Sequence, residues 1–136
     1  MFLHQLSTEE KKSFLEIAYH FAWSNNDFSD AQKKVIEGYC NEMQIENIDY
    51  NRENFDLNEV LSGIVNPKSQ KIFLLETLAL IYADGSDLDS VHRGEKAVLT
   101  AMISAFNVKE NVLVLYSEWT KCMLSLATQG ECLVQL

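Results

Sequence analysis

Residues 72–95 read IFLLETLALIYADGSDLDSVHRGE, and two halves of opposite character meet at Asp84. From Ile72 to Ala83 the run is apolar except for Glu76 and Thr77. A surface helix carries polar residues opposite its apolar stripe. A run that is apolar nearly all round predicts instead a helix buried in the middle of the molecule. It is too short to span a bilayer, which takes about 20 mostly apolar residues. Beyond it, Asp84, Asp87, Asp89 and Glu95 place four carboxylates within twelve residues, and Gly85 supplies a backbone turn that other residues resist. A buried rod thus hands an acidic loop to one end of the molecule.

Composition agrees with a helical reading. One Pro and five Gly in 136 residues leave little punctuation for a many-stranded β-fold. The length is that of one domain, residues 1–136, with 47% hydrophobic residues to fill its core. Eleven Lys and Arg against twenty Asp and Glu leave a formal charge of −9. That surface disfavours nucleic acid and bare membrane as direct partners and suits cations or a basic patch on a protein partner. The three cysteines, Cys40, Cys122 and Cys132, form no CxxC pair and sit among apolar neighbours, which predicts small core residues in a reducing compartment. MFLHQLSTEEKK has no basic segment followed by an apolar one, so the expectation is a cytoplasmic protein without a signal peptide.

Ser7-Thr8-Glu9-Glu10 is a capping box opening a helix that runs to about Trp23, with Phe14, Ile17, Ala18 and Phe21 on one face. Ser29-Asp30-Ala31-Gln32 is a second box, before a helix with Val35, Ile36, Tyr39, Cys40 and Met43 inward. Residues 44–55 are polar and Asn-rich, a loop. Asp56 caps a short helix, and Pro67 takes the first position of the central one, where its missing N–H costs nothing. Lys96 to Phe106 is helical. The last helix is expected from about Glu110 to Thr128, with Val112, Leu115, Tyr116, Trp119, Cys122, Met123 and Leu126 on its core face and Gly130 as its stop.

The chain repeats itself. Phe14-Leu15-Glu16 and the turn after it parallel Leu74-Leu75-Glu76 and the acidic loop: Glu16 pairs with Glu76, Asp27 with Asp87, Gln32 with Glu95 and Val35 with Val98. Two helix–acidic turn–helix hairpins packed together would bury both apolar faces.

A Leu- and Ala-rich helix running into Ala83-Asp84-Gly85, then Asp87, then Glu95 at the opening of the next helix, resembles the TerB-like domains, named after the bacterial tellurite-resistance protein TerB. The opening LSTEEKKSFLEIAYHFA is similar to the start of such domains, and the resemblance covers most of the chain. It implies an all-helical bacterial domain with repeated acidic turns, divalent metal at those turns, and a place in stress-response systems, some near the inner membrane. A related domain is fused to J-domain co-chaperones. The first turn departs from the pattern: Trp23-Ser24-Asn25 replaces Ala-Asp-Gly and Gln32 replaces the Glu, so that only Asp27 remains and at most one metal site is kept.

Asp84–Glu95 has the length of an EF-hand loop, but its fifth and sixth positions are Leu88 and Asp89, where that loop needs an oxygen side chain and Gly. A looser oxygen site from Asp84, Asp87, Asp89 and Glu95 would suit Ca²⁺, Mg²⁺ or Mn²⁺. Alternatively Asp89 or Ser90 caps the next helix and the other carboxylates are solvated. His20, opposite the Phe14/Phe21 face, reads as an exposed surface residue, and His92 as a weak candidate ligand. Trp23 also faces away from that stripe, so either residues 44–55, with Tyr50 and Phe55, cover it or it marks a contact surface. No Ser/His/Asp set, Cys/His pair or Gly-rich phosphate loop stands at workable spacing. The expectation is an all-α bundle of six helices, non-catalytic, binding a divalent cation at its acidic end. The alternative is a protein–protein adaptor with no metal site, and a metal-dependent enzyme using Asp84 and Glu95 ranks third.

Overall fold

Helix starts are written locally. The computed structural model describes residues 1–24, 28, 30–83 and 93–136, and every regular element among them is helical. Helix α1 (Thr8–Trp23) begins at the expected box: the Glu10 N–H donates to Ser7 Oγ at 3.2 Å, and the Ser7 N–H donates to Glu10 Oε1 at 2.8 Å. Helix α2 spans Asp30–Met43, and its expected N-cap, Ser29, lies outside the described residues. Asp56 caps α3 (Leu57–Ser62) by accepting from the Asn58 and Glu59 N–H groups. Asn66 caps α4 (Pro67–Tyr82), which carries Pro67 in its first turn. Helix α5 (Arg93–Ala105) begins three residues earlier than expected, and α6 (Glu110–Gln135) closes the chain. No helix among the described residues is long and apolar enough to cross a membrane.

Helix α4 is the central rod. Ile72, Phe73, Leu74, Leu78 and Ile81 are buried on it, and it packs against both α6 and α5. A row of edge-to-face rings ties the helices together: Tyr39 of α2, Phe14 of α1, Phe73 of α4 and Phe106 after α5, with successive centroids 5.2, 5.5 and 6.5 Å apart. Burying such a ring contributes about 1.5–3 kcal/mol relative to exposure, and the edge-to-face geometry adds to that.

The chain's opening joins this core. A 3-10 turn at Leu3–Gln5 brings Leu3 and Leu6 into the interior. There Glu76, only 4% exposed, accepts the Phe2 N–H at 3.0 Å and pairs with the Met1 ammonium at 3.0 Å, which also reaches Glu42. Burial of a carboxylate is tolerable because its oxygen meets charged and neutral donors together.

Helix α6 departs most from expectation. Gly130 does not stop it; the helix continues to Gln135. Its buried residues are Ser117 and Thr120, two small side chains that let it lie close on α4, with Leu113, Tyr116 and Leu124 beside them. Leu115, Trp119 and Leu126, expected inward, are exposed. Cys122 and Cys132 are exposed too, so the core-residue reading holds for Cys40 alone. The apolar surface of α6 is wider than its neighbour can cover, and small residues rather than large ones mark the contact.

Candidate functional site

In sequence, the expected ligands of the acidic hinge run from just after α4 to the first turn of α5. Asp84, Asp87 and Asp89, three of the four expected ligands, lie outside the described residues, as do His92 and Asp27. Glu95 is placed: it is half-buried in the first turn of α5. Together with Ala83 it lines a cavity of about 310 Å³ whose walls come from α1 (Ala18, Phe21), α2 (Ile36, Tyr39) and Leu80 of α4. Gln32, which the sequence reading expects to correspond to Glu95, lines the same cavity. Both ends of the hinge thus converge on one apolar recess, with a carboxylate and a carboxamide contributing to its lining. Among the described residues, no three or more His, Cys, Asp or Glu side chains are grouped to hold a metal ion.

A close approach secures the start of α5. A Cβ on Gly94 would stand 2.6 Å from the Cβ of Ser24 and 2.9 Å from its carbonyl oxygen. Ser24 itself is the C-cap of α1, and its hydroxyl donates to the Phe21 carbonyl at 2.6 Å. Glycine at position 94 lets the start of α5 touch the end of α1. Sequence spacing carries no signal for a contact between residues seventy positions apart.

The other face of α1 carries an aromatic shelf. Tyr50 stacks on Tyr19 with centroids 5.0 Å apart and planes inclined by 7°, and the Tyr19 hydroxyl donates to Asn47 at 2.9 Å. Phe55 lies 4.8 Å from the His20 ring. Trp23 is half-buried, stacked on Phe28 at 5.2 Å and covered by the Arg52 guanidinium at 5.1 Å. Residues 44–55 do cover this face, but Arg52, not Tyr50 or Phe55, is what they lay on Trp23. Large apolar rings find cover, and the guanidinium gains from the ring's negative face.

His20 is therefore not the exposed residue expected from its position opposite the Phe14 face. Burial, and next the nearby positive charge of Arg52, hold its pKa below the ordinary 6.5. Folding then favours the neutral ring, so the unfolded chain binds more protons as the pH falls through 6.5. Stability contributed by neutral His20 is present above that pH and is lost progressively below it. Comparing thermal unfolding at pH 7 and pH 5 checks this: His20→Gln should lose less stability on acidification than the parent, and equal losses would refute the assignment.

No protein-family model, curated protein or solved structure matches the chain.

Proposed function

We propose that this chain is a non-catalytic helical domain of the TerB-like kind, built from two helix–acidic turn–helix repeats, whose better-preserved hinge takes a divalent cation. The observation that supports the reading is the convergence of Ala83 and Glu95 on one recess. Ala83 and Glu95, which flank Asp84, Asp87 and Asp89 in the sequence, stand at neighbouring points of the bundle. Hard oxygen donors of this kind suit Ca²⁺, Mg²⁺ or Mn²⁺. The formal charge of −9 adds a long-range attraction for any cation. The setting implied by the resemblance is a bacterial stress response of the tellurite-resistance type.

Thermal unfolding with and without Ca²⁺, Mg²⁺ or Mn²⁺ tests it. A cation at about a hundred times its dissociation constant stabilises the folded state by about 2.7 kcal/mol, a rise in Tm of about 10 °C for a chain of this size. The rise should vanish in an Asp84→Asn/Asp87→Asn variant. No rise with any of the three ions, or the same rise in the variant, removes the cation and leaves the second reading, a protein-binding adaptor. That reading has its own support in the uncovered apolar face of α6.

A further inference from the structure

The outward face of α6 has a periodicity of its own. Leu115, Trp119, Cys122, Leu126, Gln129 and Leu133 follow one another at alternating intervals of four and three residues. With α6 turning about 100° per residue, all six fall within about 80° of its circumference, opposite the Ser117/Thr120/Leu124 side that faces α4. Intervals of four and three are the seam of a coiled coil, with Trp119, Leu126 and Leu133 at the a positions and Leu115, Cys122 and Gln129 at d. The seam is solvent-exposed: Leu115 65%, Trp119 43%, Leu126 65% and Leu133 69%.

We propose that this seam pairs with the same seam of a second copy of the chain, two α6 helices packing side by side about a two-fold axis. Three features favour that occupant. A seam of regular a and d residues is complementary to itself, as an isologous interface requires. Its flanks, the e and g positions, are Tyr116, Met123 and Gly130 on one side and Glu118, Ser125 and Cys132 on the other. Only one of those six is charged, so two copies of an acidic protein can meet here without aligned like charges. A membrane surface would call for Lys and Arg along the polar side of the helix, whereas α6 holds Lys121 alone against Glu110, Glu118 and Glu131. Because α6 is already held as a helix by α4, pairing carries little further cost in chain ordering.

The proposal is independent of the cation reading, and its test does not involve metal. Sedimentation equilibrium of the full chain, from about 1 to 200 µM with EDTA present, should give twice the 15.5 kDa chain mass at the upper end. Leu126→Glu/Leu133→Glu should weaken association at least a hundredfold and give a monomer with an unchanged helical circular dichroism spectrum. Val65→Glu, which adds charge at an exposed site outside α6, should leave the dimer intact. Should the double variant lose helix, short bismaleimide cross-linking of a Cys40→Ala protein decides: covalent dimer through Cys122 or Cys132 supports the pairing. A parent chain that stays monomeric throughout, including one that instead floats with lipid vesicles or binds only a different protein, overturns it. A dimer that survives the double variant, or one that Val65→Glu also breaks, does the same.

Discussion

Glu76→Gln should lower the unfolding free energy by about 2–3 kcal/mol, and Glu76→Leu by more. The side chain is 4% exposed, and one oxygen serves both the Phe2 N–H and the Met1 ammonium at 3.0 Å. A hydrogen bond to a charged group is worth about 1.5–3 kcal/mol, and a buried donor left without its acceptor costs a comparable amount. Breaking a fully buried ion pair costs about 3–5 kcal/mol. The full figure is not reached here because the ammonium is a quarter exposed and keeps Glu42. Gln retains an oxygen for the Phe2 N–H and loses only the charge, whereas Leu leaves the Phe2 N–H without its acceptor and the ammonium with Glu42 alone. Urea unfolding of the three proteins at pH 7 measures the series. A Glu76→Gln protein as stable as the parent would show that the chain's opening is not anchored through this carboxylate.

Gly94→Ala should cost about 1–3 kcal/mol, the usual penalty for forcing an extra group into a packed site. The added methyl would meet Ser24 on its Cβ, its hydroxyl and its carbonyl oxygen, all at 2.9 Å or less. Backbone oxygen does not swing aside as the end of a long side chain does, so α1 and α5 must separate. Ordinarily Gly→Ala inside a helix stabilises it by about 1 kcal/mol; the sign here is reversed by the contact. Ser24→Gly removes the Cβ and hydroxyl but not the carbonyl, so in that background Gly94→Ala should be milder without becoming neutral. A Gly94→Ala protein more stable than the parent would mean that the two helix ends do not touch. Since Gly94 adjoins Glu95, the same variant should also weaken any cation response of the hinge.

Much of the fold was readable because it is set by interactions between near neighbours. The Ser7–Glu10 box, the Asp56 cap and Pro67 at a helix start each satisfy local backbone groups, and each helix begins where those residues stand. The all-round apolar run of α4 could only be central. What depended on how much of a face its neighbour covers was misjudged. His20 gained cover from Phe55, and Leu115, Trp119, Cys122 and Leu126 lost it because α4 meets α6 through Ser117 and Thr120 instead. Gly130 does not stop α6, because a glycine inside a helix costs only about 1 kcal/mol, which a 26-residue helix absorbs.

Of the four expected ligands, Glu95 stands half-buried in the first turn of α5, and Asp84, Asp87 and Asp89 lie outside the described residues. The convergence of Ala83, Gln32 and Glu95 on a shared recess, and the contact between Gly94 and Ser24, came only from the assembled bundle. Sequence by itself determined which long segments are helical, where the capped ones start and which rod lies innermost, because capping and periodicity act within a few residues. Tertiary structure alone decided which faces are shielded from water and which distant residues touch, because those depend on the shape of a neighbour that no local pattern encodes.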